Sequence, residues 1–456
     1  MKKLVYILIS ILVLNCSCKK WIDPSMNVDP NNPTDVSMAQ LLAPVEANLA
    51  FEVGGELARY TCDWMQHITG LQSQAADNDI YTISEADVDG AWSYNLYTPG
   101  MIDTKILMDK AAETGSPYYE GVAKILMAYH LGVATDMWGD VPYSDALKGV
   151  TNVLKPKYDT QQEIYASIFT LLDDAISDFG MASSVFSPGD EDLIYGGDLS
   201  KWEKTAYALK ARYSMHLEKR NGSTAYSDAL AAIANSYTSN NDDFKFVFGS
   251  ALNNSNPIYR SEQDRAGYYS ACATFENMLS STGDPRQPVY FTGAVGSIPG
   301  QPNASASSIG PGYASATSPV YLISYAEIKF IEAEARYMLN NADPLAVTAY
   351  NDGLKASLQR EGVFGDGTWF NANLITSGTI TLEKIIDQKY LSSFLQIETW
   401  TDWRRTGYPV LSLATGAVTS QIPRRLPYPQ SERLYNTENM PAGLTITDRV
   451  WWDAAK

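Results

Sequence analysis

From about residue 38 onward, apolar residues recur every three or four positions, the period of a helix that buries one face. "MIDTKILMDKAAE" sets Met101 with Met108 and Ile102 with Ile106 at helical spacing. "YYEGVAKILMAYHLGVATDMW" is long and apolar on most sides. "DTQQEIYASIFTLLDDAISDF" opens at Asp159, a residue type that caps helices by accepting backbone N–H bonds. The same period runs through "LSKWEKTAYALKARYSMHLEKR", "AYSDALAAIANSY", "LISYAEIKFIEAEARYML", "DPLAVTAYNDGLKASLQ" and "LEKIIDQKYLSSFLQIETW". The alternation expected of strands is scarce. "FKFVF" (residues 244–248) and "PVYFTG" are the best short candidates. The pattern predicts a mainly α fold.

Three of these helices share a spacing: Ala123-x4-Ala128, Ala206-x4-Ala211 and Ile328-x4-Ala333. Small residues let helices approach closely, and helix pairs of this kind build tetratricopeptide stacks. The clearest pair is "YAEIKFIEAEARYMLNNADPLAVTAYNDGLKASL", whose second helix opens at Asp343-Pro344, a cap followed by a first-turn proline. Long inserts separate the units. The one from Gly296 to Pro319 is rich in Gly, Ser, Ala and Pro, and inserts in repeat proteins collect on one face, often the binding face.

The start of the chain follows a different pattern. Lys2 and Lys3 precede an apolar run, Leu4 to Leu14, and then "NCSCKKWIDP". A charged start and a short apolar run form a secretory signal. The run is too short to cross a bilayer, which needs about 20 apolar residues. A cysteine stands where a small-residue cleavage site would be, as in bacterial lipoprotein signals, where it becomes the lipid-bearing N-terminus. Ser17 favours Cys18 as the lipidated residue, with Cys16 the alternative register. A plain signal peptide with stray cysteines is the competing reading. The expected organisation is a signal peptide over residues 1–17, a lipidated tether over 18–37 containing the proline-broken "NVDPNNPTDVS", and one domain over 38–456.

Charge and composition narrow the partners. The 456 residues carry a net charge of −18, so phosphate backbones and anionic headgroups repel the chain. Nucleic acid is excluded, and the membrane link should be covalent. After signal removal only Cys62 and Cys272 remain; they could pair or stay as buried thiols. His67, His130 and His216 lie outside metal-ligand spacing, so no zinc site is expected. No Walker loop, dinucleotide fingerprint, nucleophile elbow or H-E-x-x-H stretch is present. Aromatic residues reach 11%, and tyrosine and tryptophan suit both helix packing and stacking on sugar rings or peptides.

In order along the chain, "NVDPNNPT", "ATDMWGDVPYSDAL", "YDTQQEIYASIFTLLDDAI", "DLIYGGDLSKWEKTAYALKARYSM", "STGDPRQPVYF", "ISYAEIKFIEAEARYML", "IIDQKYLSSF", "ETWTDWRRTGYP" and "IPRRLPYPQSE" resemble the SusD/RagB family of Bacteroidetes outer-membrane nutrient-binding lipoproteins, in its shorter SusD-like branch. "TAYALKARYSM" departs from the Asn-Ser-Leu-Lys-Leu-Arg run frequent in relatives, and the lipidation signal is loose in either register. The resemblance implies a tetratricopeptide-like α-superhelix of about four helix pairs with irregular inserts on one side. It implies a SusC-like TonB-dependent transporter as partner, an oligosaccharide or peptide ligand, and no catalysis.

Several motifs carry a chemical and a structural reading. In "DMWGDVPY", Asp136 and Asp140 flank Trp138 like an acid pair beside a stacking ring, which is the basis of an alternative surface-glycosidase reading. Gly139 and Pro142 are also what ends a helix. The pairs Arg404–Arg405 and Arg424–Arg425 could bind an anion or clamp internal carboxylates. Asp190, Glu191, Asp192 and Asp198 could hold a structural calcium ion, although their spacing fits no EF-hand; no other cofactor is expected. Ligand-binding candidates are aromatic and amide residues outside the helix seams: Trp64, Gln66, Gln72, Tyr81 and Trp92 toward the N-terminus, and Tyr268, Tyr269 and Tyr313 near the insert. Trp92 also has Leu96 one helical turn later, so both could face the core. A scaffold that binds protein through a tetratricopeptide groove, with no small ligand, is the remaining alternative.

Overall fold

The computed structural model describes residues 36–148 and 153–454. The apolar leader, Cys16, Cys18 and the tether as far as residue 35 lie outside the described residues.

Helix α1 (Met38–Gly54) starts where the Ser37 hydroxyl accepts the Gln40 N–H and the Gln40 side chain returns the bond, a capping box. Helix α2 (Glu56–Trp64) follows directly. Helices α3 (Ile102–Glu113), α4 (Pro117–Trp138), α5 (Gln161–Phe179), α6 (Leu199–His216) and α7 (Ser223–Ile233) then pack each on the next. After the insert region, which opens with the short helix α8 (Pro257–Asp264), the stack resumes. Helix α9 (Tyr325–Leu339) lies against α7, α10 (Pro344–Arg360) against α9, and α11 (Leu382–Ser392) against both α9 and α10. Helix α12 (Glu398–Thr406) closes the core against α2 and α6.

Local chemistry explains the boundaries. Asp343 caps α10 by accepting the Leu345 N–H, with Pro344 in the first turn. Helix α5 begins one residue later than the sequence suggests. Thr160 and Glu163 make its capping box, while the Asp159 carboxylate accepts the N–H groups of Tyr143 and Ser144. Every residue of α4 from Ile125 to Trp138 is buried, as befits a helix apolar on all sides at the centre of a stack. A Cβ at Gly132 would stand 2.1 Å from the Tyr213 hydroxyl, so α4 and α6 approach more closely than any other residue permits. The six positions of the shared small-residue spacing are all buried in these seams.

Two small antiparallel sheets tie the inserts to the stack. Strand β1 (Ile68–Gly70) pairs with β3 (Tyr269–Ala271), with Thr69 opposite Ser270. Strand β2 (Phe244–Phe246), within the expected "FKFVF", pairs with β4 (Val320–Ile323). "PVYFTG" is not a strand. Residues Gln287–Tyr290 form a helical turn with Pro288 in its first positions, and only Phe291 makes a bridge, to Ile309. The insert folds back along β3 through bonds from Ala271 N–H to Ser307 O and from Ser297 N–H to Ala271 O, 2.7 and 2.8 Å. Cys62 and Cys272 are both buried, free thiols.

Candidate ligand-binding site

The β1–β3 pairing decides where the insert meets the N-terminal helices. It sets Tyr268 and Tyr269 over α2 and brings α8 alongside α1. Between them opens a cavity of about 320 Å³, lined on one side by Phe51, Glu56, Arg59 and Tyr60 and on the other by Arg260, Asp264, Arg265, Tyr268 and Tyr269, with Gln74 and Asn95 also on its wall.

The cavity wall is polar, charged and aromatic. The Tyr60 hydroxyl donates to Glu56 Oε1 at 2.9 Å, and burial together with that carboxylate pushes its pKa up. Burial also raises the Tyr269 hydroxyl, although Arg59, which bonds it, acts in the opposite direction. Arg260 lies over the Phe51 ring at 5.6 Å and Arg265 over Tyr268 at 5.7 Å, both at cation–π distance. Gly267, at φ +71, makes the turn that returns Tyr268 onto Arg265. Such a surface can stack an apolar sugar face and offer hydrogen bonds around its edge.

The eight residues singled out from the sequence fall into two groups. Tyr268 and Tyr269 line the cavity, and the exposed Gln72 reaches across to its far loop, Nε2 donating to Gly267 O at 3.3 Å. The other five pack inward. Trp64 is wholly buried, 5.2 Å edge-on to Trp400, with its indole N–H on Asn78 O. Gln66 bonds Ser412 O and the Thr274 hydroxyl, 2.6 Å each. The Tyr81 hydroxyl accepts the Ala414 N–H, and Trp92 packs against Tyr97, Trp138 and Tyr428. Tyr313 joins an aromatic cluster with Tyr290 and Phe394 and donates to Glu361. In Trp64, Gln66, Tyr81 and Tyr313 the polar tip is already satisfied by the protein, and Trp92 is enclosed by its aromatic neighbours. The cavity residues absent from that set include Phe51, Glu56, Arg59, Tyr60, Gln74, Asn95, Arg260, Asp264 and Arg265. "RSEQDRAGYY" was their one local signal, two arginines just ahead of the tyrosine pair.

The motifs with a catalytic or ionic reading are tied up internally. Asp136 is 5% exposed; it accepts the Tyr165 hydroxyl at 2.5 Å and the Trp452 indole N–H at 2.8 Å, and it faces His216 at 3.2 Å. Asp140 accepts the Gln161 N–H. Arg404 donates to the carbonyls of Asp136 and Arg424, Arg405 to Glu334 and Asp402, Arg424 to Asp453, and Arg425 to Trp138 O. In the acidic loop, Asp192 is buried and takes the N–H groups of Ile194, Tyr195, Gly197 and the Trp202 indole. Asp198 caps α6. Among the described residues no cluster of His, Cys, Asp and Glu is arranged to hold a metal ion.

A second groove, of about 650 Å³, lies between α5, α6 and α7, with Tyr165, Phe169, Tyr207, Lys210 and Trp451 on its walls. It shares no lining residue with the cavity at Tyr268.

Comparison with known proteins settles the family. A sequence model of SusD-like proteins, described as starch-binding associating with outer membrane, matches residues 30–429. This chain belongs to the SusD-like family. A SusD/RagB family protein from Bacteroides thetaiotaomicron superimposes with a TM-score of 0.80 at 27% identity, over 92% of this chain and 100% of that one. A chitin-binding protein does so with 0.77 at 26%, over 92% and 100%. A chitin-binding SusD homolog from Flavobacterium johnsoniae shares the fold, with 0.78 at 24% over 92% and 99%. No curated protein matches the chain. The stacked helices are thus the tetratricopeptide-like superhelix of SusD-like proteins. The family is one of carbohydrate-binding proteins associated with the outer membrane, and not one of enzymes. Among the described residues no helix is long and apolar enough to cross a membrane.

Proposed function

We propose that this SusD-like protein is a lipid-anchored protein of the outer-membrane surface that captures a nutrient oligosaccharide and delivers it to a SusC-like TonB-dependent transporter. The observation that carries this reading is the open cavity at Tyr268 and Tyr269, where aromatic faces stand beside amide and guanidinium donors. Starch or chitin binding in the family and among similar structures supports a glycan over a peptide. Lipid attaches at Cys18, and residues 18–37 serve as the tether of a single domain over 38–456. The groove between α5, α6 and α7 supports the partner half of the reading, because it leaves a concave face unoccupied when the cavity holds its ligand.

Calorimetry of the purified protein against a glycan panel tests the reading. A bound oligosaccharide that Tyr268→Ala weakens about tenfold, the loss expected for a stacking ring, bears it out. Glycan binding unchanged in Tyr268→Ala relocates the site, and the absence of binding across the panel overturns the reading. Fatty-acid labelling lost in Cys18→Ala, and co-purification of a barrel protein from membranes, test the anchor and the partner.

A further inference from the structure

We infer that the oligosaccharide taken by the cavity at Tyr268 is anionic, bearing uronate carboxylates or sulfate esters. The inference rests on the proposed glycan-binding role and specifies its ligand.

Arg59, Arg260 and Arg265 converge on this one cavity. Elsewhere in the described residues arginines are occupied: Arg212 by Glu327, Arg286 by Asp284, Arg336 by Glu332, Arg360 by Glu361, Arg405 by Glu334, Arg424 and Arg449 by Asp453 and Arg433 by Glu85, while Arg220, Arg404 and Arg425 donate to backbone carbonyls. Among the described residues none of the three cavity arginines forms an ion pair with a carboxylate, in a chain of 52 acidic and 34 basic residues where acidic partners abound. Leaving guanidinium forks without acid partners in so acidic a protein has a purpose when an acid arrives with the ligand.

Their mounting fits that purpose. Arg260 and Arg265 are held against the rings of Phe51 and Tyr268, and such contact fixes a guanidinium without consuming its N–H donors. A planar fork with free donors is suited to bidentate contact with carboxylate or sulfate oxygens. The acids in and near the wall do not cancel this. Glu56 holds the Tyr60 hydroxyl, Glu262 faces the Gly267 N–H and is pushed up by burial although the Arg59 charge opposes this without an ion pair forming, and Asp264 is exposed at the rim. A neutral glycan would give these guanidiniums hydroxyl acceptors but no counter-charge.

Calorimetry with four probes tests this on the whole purified protein: an oligogalacturonate, the same oligomer with its carboxyls reduced to alcohols, a carrageenan oligosaccharide, which carries sulfate esters and no uronate, and an oligoglutamate peptide. The expected result is binding of the uronate or the sulfated probe, weakening as NaCl rises, and at least tenfold loss for the carboxyl-reduced form. Arg260→Gln and Arg265→Gln should each weaken the charged probe about tenfold, with thermal unfolding unchanged. Uronate without sulfate, or the reverse, identifies which ester or acid is read. Equal binding of the reduced oligomer, with both variants unaffected, overturns the charge inference and leaves the glycan site standing. Binding of oligoglutamate alone overturns both, as does silence from every saccharide in this and a neutral panel.

Discussion

The arginines of the core and those of the cavity are the same residue put to opposite uses. Arg405 sits at the centre of the stack with Glu334, Glu218 and Asp402 around it, and Arg424 has both oxygens of Asp453. Arg212 bridges α6 to Glu327 of α9 with two bonds, 2.8 and 2.7 Å. These forks are spent on holding helices in register. At the cavity, Arg260 and Arg265 lean on aromatic rings and meet no carboxylate. The sequence pairs Arg404–Arg405 and Arg424–Arg425 look like an anion site on paper, yet Arg405 and Arg424 meet the protein's own carboxylates and Arg404 and Arg425 its backbone carbonyls. A guanidinium points to a ligand only when the fold leaves its donors unclaimed.

The largest expected effect follows from emptying a core fork. Arg405→Ala leaves Glu218 and Glu334 buried without a counter-ion and Asp402 with Lys389 alone, which should cost about 3–5 kcal/mol of stability. Arg405→Lys should recover only part, because an ammonium cannot span two helices bidentately. Urea titration checks both. A change below about 1 kcal/mol for Arg405→Ala would mean that the core network is ornamental and the contrast with the cavity is empty.

Next in size is His216, which lies between Glu398 at 2.8 Å and Asp136 at 3.2 Å. Burial alone would lower its pKa, but the Glu398 and Asp136 carboxylates outweigh it and hold the imidazolium at about 9. An unfolded histidine titrates near 6.5. Because the folded value is the higher one, this stabilisation is complete below about pH 6.5 and is lost as pH rises through 9. We expect a fall on the order of 2–3 kcal/mol across that window, absent in His216→Gln. A flat stability profile in the wild type between pH 6.5 and 9.5 contradicts this reading of the triad.

The helices were legible because their period, caps and small-residue seams are local properties. Asp343-Pro344 opens α10 as read. The start of α5 was shifted by one residue, because Asp159 found the Tyr143 turn 16 residues away. Strands β1 and β3 were invisible, since Ile68 and Ala271 meet only through a pairing across some 200 residues. That same pairing hides the cavity: Arg59 and Arg260 are neighbours in space by virtue of it. Tyr268 and Tyr269 could be found because they lie outside any helical seam. Trp64 and Tyr81 could not be sorted from them, because an aromatic ring in polar sequence reads the same whether its polar tip meets a sugar or, as here, the Asn78 carbonyl or the Ala414 N–H.

A third environment sharpens the contrast, acids that the core leaves without a cation. Asp63 and Asp79 are both buried, and each has one carboxylate oxygen without a partner. Burial raises Asp79 to about 6 despite its bond with the Asp63 carboxyl and the N–H groups of Gly300 and Gly70. An acid whose folded pKa exceeds its unfolded value of about 3.8 holds its proton longer in the native state, so stability declines as pH climbs from 4 to 6 and stays lower above. Asp79→Asn keeps an acceptor for Gly300 and removes the charge. It should add on the order of 1–2 kcal/mol at pH 7 and nothing at pH 3.5, by unfolding at the two pH values.

The smallest expected change is the one that tests the contrast most directly. Among the described residues Arg260 and Arg265 hold no carboxylate, and Arg260 meets α1 only through the Phe51 ring, so replacing either with Gln should alter unfolding free energy by no more than about 0.5 kcal/mol, the range of surface changes away from such networks. The double variant should behave as the sum of the two, because neither residue supports a shared ion pair. A loss of 2 kcal/mol or more would place these side chains with Arg405 as structural clamps, and their lack of acid partners would then need another cause than a ligand. Unchanged stability with lost binding of a charged glycan is the combination that separates a fork kept for the outside from one spent within.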